Sequence, residues 1–284
     1  MNVVVFGEDI YTSTVIESLI ESGHKVLLIV TPEYYNENYI ILKETASKYH
    51  IGFIKSENVN SVEVQGYLEN VKPELIVAVH LRKILHEEIF SQPARGAINV
   101  HPSLLPRYRG LSPQHQAILH GDDESGVTVH FIDADVDTGE IIVQKKFPVS
   151  EDDYIVDVQV KMLAIYKKIV VEALGLLEDK AFKPMEQELA GSSYFAPLKR
   201  NDRKIDLSKS RLEIYRLVRA VSVPYKGAFY NNYIIWAARI PEPAVEEELK
   251  NKYTEAGFYV DKEGGKIIIR LSDGILVSDD YETK

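Results

Sequence analysis

From residue 2 to residue 101 the chain alternates short apolar runs with segments of helical period, and that alternation constrains the fold more than any other feature. Residues 2–6 predict a buried strand, residues 10–22 an amphipathic helix closed by Gly23, and residues 25–30 a second strand. A helix over 37–49, a strand over 52–54, a helix over 61–70 and a strand over 75–79 continue the series. A short helix over 83–90 then leads into a strand at 97–101. Strands separated by helices of this length imply βαβ units, and therefore an α/β domain with a doubly wound, mostly parallel sheet.

The second half changes character. A helix over 112–119 and strands over 127–132 and 140–147 precede the longest helix, 155–177, which is apolar on one face at three-four spacing. The polar stretch 178–193, with Pro184 and Gly191, reads as the connection to a second domain. Beyond it lie a helix at 208–221 and strands at 227–240, 257–261, 266–271 and 275–278, joined by glycine-containing turns. The expected partition is a catalytic domain over 1–180, a linker over 181–205 and a smaller β-rich domain over 206–284.

Composition removes several function classes. Forty-three acidic against thirty-three basic residues give a net charge of −10, which speaks against wrapping nucleic acid, because that affinity comes largely from Lys and Arg on phosphates. The chain has no cysteine, so disulfides, thiolate nucleophiles and cysteine-based zinc sites are absent. The first residues lack the basic flank of a signal peptide, and no run approaches the ~18 apolar residues of a membrane span. A soluble cytoplasmic protein without membrane association is expected. Gly7 alone is not a dinucleotide-binding turn, and no phosphate-binding P-loop sequence occurs.

The chemistry concentrates in Asn99-Val100-His101-Pro102-Ser103-Leu104-Leu105-Pro106, answered by Asp133-Ala134-Asp135-Val136-Asp137-Thr138-Gly139. Asn99 and His101 are two apart on a predicted strand and so share a face. The proline-bounded turn ends that strand where open α/β sheets keep their active sites. Acyl transfer to an amine needs a donor for a tetrahedral oxyanion and a group to move the amine proton. A carboxamide suits the first need and an imidazole either one, with Asp137 as the carboxylate that raises the imidazole pKa. His101, His115, His120 and His130 form no His-x-x-x-His or His-Glu-x-x-His pair, so no metal is expected. Ser103 lacks the Gly-x-Ser-x-Gly elbow of a nucleophile.

Taken together, Asn99-x-His101-Pro-Ser-Leu-Leu-Pro-x-Tyr-Arg-Gly110, then Gly126-Val-Thr-Val-His130 and Asp133-x-x-x-Asp137-Thr-Gly139, strongly resemble the formyltransferases that use 10-formyltetrahydrofolate. The likeness covers roughly residues 1–240. It implies a Rossmann-like catalytic domain, a truncated OB-like C-terminal domain and 10-formyltetrahydrofolate as co-substrate. It further implies that Asn99 and His101 are the catalytic pair and that Asp137 tunes the histidine. Lys83, Ile84 and Leu85 match the segment whose backbone meets the pterin ring, and Asp133, Ala134, Asp135 and Val136 match the loop that closes over it. Ile84, Leu104 and Val136 are expected to cover the ring face. Leu111 departs from the aminoarabinose-pathway relative, which has an Arg there that helps hold the folate.

For the acceptor, the stretch from Tyr194 to Leu207 resembles the tRNA enzyme, the aminoarabinose enzyme and the sugar enzymes alike. The short acidic segment 31–38, the truncated β domain and the negative charge favour a nucleotide sugar over tRNA. The expected substrate is a UDP- or dTDP-linked 4-amino-4,6-dideoxy sugar, with Arg82, Arg200 and Arg203 meeting its pyrophosphate through paired donors. Methionyl-tRNA formyltransferase is the alternative. A non-catalytic folate- or nucleotide-binding module is a third, opposed by the intact Asn, His and Asp. Similarity to the sugar enzymes also implies a homodimer through the β domain.

Overall fold

Val3, Val4, Val5 and Phe6 are wholly buried in the computed structural model of the chain, which describes residues 1–33, 39–188 and 190–283. They form the centre of a seven-stranded sheet. Two compact units are present, one made of Met1–Pro113, Gly126–Phe147 and Lys161–Phe195, the other of Gln114–Ser125, Pro148–Val160 and Ala196–Lys284. The units therefore interleave along the chain, where a linear partition at 180 and 205 has no place for segments 114–125 and 148–160.

In the first unit β1 (Asn2–Gly7), α1 (Ile10–Glu21), β2 (Lys25–Pro32), α2 (Ile40–Tyr49), β3 (Gly52–Ser56), α3 (Val62–Val71), β4 (Leu75–Val79), α4 (Glu87–Phe90) and β5 (Ala97–His101) follow the expected alternation. Residues 34–38, part of the acidic segment and of the expected start of α2, lie outside the described residues. Asp9 caps α1 by accepting from the Tyr11 and Thr12 amides, and Ser61 caps α3 through the Val64 amide. Gly7 is required at the β1 exit, because a Cβ there would stand 2.2 Å from Thr12 Oγ1 and 2.7 Å from the Val79 carbonyl. The expected helix over 83–90 shrinks to α4. Asn60 holds the segment before it by donating to the Ile84 carbonyl at 2.9 Å and accepting from the His86 amide at 2.8 Å.

The chain continues through β6 (Arg109–Gly110), α5 (Pro113–His120), β7 (Glu124–Phe131), β8 (Ile141–Pro148), α6 (Ile155–Glu178) and β9 (Tyr194–Phe195). Sheet order is β3-β2-β1-β4-β5-β7-β8, parallel from β3 to β5, with β7 antiparallel to β5. The stretch read as a linker is not slack at its start. Met185 exchanges two backbone hydrogen bonds with Ile141, at 2.7 and 2.8 Å.

The second unit holds α7 (Arg211–Val221), opened by a capping box between Ser210 and Glu213, then β10 (Ala228–Tyr230), β11 (Tyr233–Arg239), α8 (Pro243–Lys252), β12 (Gly257–Asp261), β13 (Lys266–Leu271) and β14 (Gly274–Thr283). The strands make an antiparallel half-barrel in the order β10-β11-β14-β13-β12. The single strand expected over 227–240 is a hairpin, turned at Asn231, whose φ of 51° asparagine tolerates better than most residues. Sequence periodicity missed α8 because the helix is rich in glutamate and only faintly amphipathic, with Leu249 as its buried residue. Tyr230 and Phe258, on the two outermost strands, stack at 4.6 Å between ring centroids. Among the described residues no helix is long and apolar enough to cross a membrane.

Candidate active site

β5 supplies the first two groups. In its antiparallel pairing with β7, Asn99 lies opposite His130 and His101 opposite Thr128. Opposed residues of such a pair put their side chains on the same face, so strand register alone gathers Asn99, His101, Thr128 and His130. Past His101 the Ser-Leu-Leu-Pro turn is pinned by Thr128, whose hydroxyl donates to the Ser103 carbonyl at 2.7 Å. The same oxygen accepts from the Leu105 amide at 3.2 Å and from Gln144 Nε2 at 2.9 Å. Ser103 Oγ donates to the Arg107 carbonyl at 2.7 Å, which makes it a loop hydroxyl.

Asp137 closes the cluster from the β7–β8 turn. Its Oδ1 accepts from Asn99 Nδ2 at 3.2 Å, its Oδ2 accepts from the Gly110 amide at 2.8 Å, and His101 Nδ1 lies 3.4 Å from Oδ2. Gly110 has a φ of +91°, and a Cβ there would meet the Phe195 carbonyl at 2.4 Å, so only glycine brings this amide to the carboxylate. Asp137 itself sits at φ 57°, a left-handed backbone that its surroundings must enforce.

Each ring nitrogen has a definable state. His101 is 3% exposed and its Nε2 donates to the Tyr108 carbonyl at 2.8 Å, which leaves Nδ1 as a lone pair facing Asp137 in the neutral ring. His130 Nδ1 donates to the Phe131 carbonyl at 2.7 Å, and its Nε2 lies 3.2 Å from Asn99 Nδ2 and 3.5 Å from Asp137 Oδ1. Burial lowers the His101 pKa below the ordinary imidazole value and outweighs the opposing pull of Asp137. The carboxylate does pull the imidazole pKa upward, as expected, but burial of the ring sets the net direction. Burial works to raise the Asp137 pKa, but His101, the His130 contact and the Gly110 amide together hold its carboxyl well below the usual carboxylate range.

The expected cofactor segments are loops with bends and turns. Ile84 is 65% exposed, Leu85 is buried in the core, and Leu104 and Val136 are half-buried. Asp133, Ala134 and Asp135 are exposed, and Asp133 Oδ1 accepts from Thr138 Oγ1 at 2.6 Å. The expected phosphate ligands are partly engaged. Arg82 binds the buried Glu8 carboxylate through its amide at 2.6 Å and its Nε at 2.7 Å. In the second unit, Arg203 Nη1 donates to the carbonyls of Lys226 and Gly227 at 2.7 and 2.8 Å, while Arg200 lies over the Phe229 ring.

Sequence reasoning missed His130 as a partner of Asn99, although its spacing from Thr128 puts both on one face of a strand. It also missed Gln187, whose Nε2 donates to the carbonyls of Asp137 and Gly139, and for which no local pattern exists.

A doubly wound sheet carrying Asn, His and Asp at its carboxyl edge, joined in one chain to an antiparallel half-barrel, is the architecture of a two-part group transferase. The chain belongs to the formyl transferase family, whose model matches residues 1–174, with the model of the C-terminal domain matching residues 197–282. It is 31% identical over 287 residues to the methionyl-tRNA formyltransferase of Desulforamulus reducens, covering 95% of this chain and 89% of the relative. The bifunctional polymyxin resistance protein ArnA of Wigglesworthia glossinidia brevipalpis is 31% identical over 248 residues, 84% of this chain and 38% of that one. In structure, the N-formyltransferase from Helicobacter canadensis, solved in complex with folinic acid and dTDP-3-aminofucose, is similar with a TM-score of 0.76 at 22% identity over 99% of each chain.

Proposed function

We propose that the chain transfers the formyl group of 10-formyltetrahydrofolate to the amine of a nucleotide-linked sugar, a UDP- or dTDP-4-amino-4,6-dideoxy sugar. The observation that carries the chemistry is the convergence of Asn99 and His101 on the one carboxylate of Asp137. Asn99, less buried than His101, exchanges its His130 contact for the developing oxyanion as the amine attacks the formyl carbon. His101, with its Nε2 hydrogen held by Tyr108, is the proposed carrier of the proton from the attacking nitrogen, reached through water, and the imidazolium so formed is stabilised by Asp137. The same proton is then delivered to folate N10 as its bond to the formyl carbon breaks. Lys83, Ile84, Leu85, Leu104 and the 133–136 loop are the proposed folate contacts.

Net charge supports the sugar acceptor, since −10 opposes the phosphate-rich surface of tRNA. The alternative acceptor, methionyl-tRNA, is favoured by the relative at 31% identity over nearly the whole chain. The test supplies the folate donor with UDP-4-amino sugar, dTDP-4-amino sugar, dTDP-3-amino sugar or methionyl-tRNA in separate reactions and follows deformylated folate. Turnover with a nucleotide sugar is expected, and turnover confined to methionyl-tRNA replaces this proposal with the alternative. A homodimer is part of the proposal and is read by sedimentation.

A further inference from the structure

Gln187 lies in the irregular stretch before β9, and its carboxamide has hydrogen bonds on both sides. Nε2 donates to the Asp137 carbonyl at 3.0 Å and to the Gly139 carbonyl at 2.7 Å. Oε1 accepts from the Arg109 guanidinium, from Nη2 at 2.7 Å and Nε at 3.3 Å, and Arg109 is only 9% exposed. The residue after Arg109 is Gly110, whose amide grips the Asp137 carboxylate. These bonds close a ring in which Asp137 is held at both ends, by its backbone carbonyl through Gln187 and by its side chain through Gly110. Such a clamp is what a non-glycine residue in a left-handed backbone needs in order to stay there.

We propose that Gln187, with Arg109 as its anchor, is a positioning residue for formyl transfer that fixes the Asp137 carboxylate against Asn99 and His101. It is proposed to act through Asp137, so the inference rests on the role proposed for Asp137 above. Partners of this kind typically contribute about 10–100-fold when removed.

Two variants test it. Gln187→Met keeps the length and volume of the side chain and removes all four hydrogen bonds. Gln187→Glu keeps an acceptor for Arg109 and replaces the donors to Asp137 and Gly139 with a carboxylate oxygen, and circular dichroism with the denaturation midpoint establishes that both variants fold. Both are expected to lower kcat by about 10-fold or more, with KM for the folate donor and the amine acceptor within about twofold of wild type. In an Asp137→Ala background, adding Gln187→Met is expected to cost less than about twofold, because the group it positions is gone. A Gln187→Glu enzyme with wild-type kcat, or a Gln187→Met loss that persists undiminished without Asp137, overturns the inference. An Asp137→Ala enzyme of full activity overturns the proposed role of Asp137 and this inference with it, whereas an inactive Asp137→Ala beside a fully active Gln187→Met overturns the inference alone.

Discussion

Asn99 and His130 face each other across the β5–β7 pair, with Asn99 Nδ2 3.2 Å from His130 Nε2. Asn99 Nδ2 thus stands between His130 Nε2 and the Asp137 carboxylate, and these two contacts orient the carboxamide. Asn99→Ala is expected to lower the single-turnover rate by about two to three orders of magnitude, the scale of a lost oxyanion donor. His130→Phe is expected to cost about tenfold, as the loss of an orienting partner. An Asn99→Ala rate within tenfold of wild type counts against the assignment.

The His101–Asp137 pair makes a pH prediction with a definite sign. Asp137 favours the charged imidazole, so Asp137→Asn lets the His101 pKa fall further below its already lowered position. The acidic limb of the kcat profile is expected to move to lower pH in that variant, while kcat itself drops. Stability follows the same direction. Lowered folded-state pKa values for His101 and Asp137 mean that the unfolded chain binds more protons in acid. Unfolding free energy should therefore decline as pH falls below about 6.5 for the histidine and below about 3.9 for the aspartate. Urea titrations across pH check both, and an Asp137→Asn profile that superposes on wild type contradicts the coupling.

Thr128 makes a separate stability prediction. Its hydroxyl is wholly buried and serves Ser103, Leu105 and Gln144 at once. Thr128→Val preserves the shape but strands a carbonyl and an amide in the interior, at a cost of about 1–3 kcal/mol. The denaturation midpoint should shift accordingly with an unchanged urea slope.

Ile84 separates binding from chemistry. It stands exposed on the segment proposed to cover the pterin, away from the Asp137 cluster in sequence. Burying an isoleucine side chain stabilises by about 1.5–3 kcal/mol, so Ile84→Asp is expected to raise KM for the folate donor about tenfold or more and leave kcat nearly unchanged. A fall in kcat at unchanged KM would move Ile84 out of the donor site.

The sheet was legible because β1 and β4 are short apolar runs set between helical segments, and β4 and β5 coincide with the predicted 75–79 and 97–101. Asn99, His101 and Asp137 were legible through strand phase and motif. Gln187 was not, because it meets Asp137 fifty positions away from a stretch with no secondary-structure period. The direction of the His101 shift was misjudged for a related reason. The carboxylate beside the ring can be named from sequence, whereas the depth of burial that outweighs it exists only once β4, β5 and β7 are packed.

The Tyr230–Phe258 stack has a bearing on how the second unit behaves in a crowded solution. The outer side of β10 is occupied by residues 204–205, through the Lys204–Phe229 bridge and the Ile205 amide on the Phe229 carbonyl at 2.8 Å. The stack draws the opposite margin, β12, towards it. The margin at β10 is therefore already paired, and the sticky Ile267-Ile268-Ile269 run stays sheathed between β12 and β14.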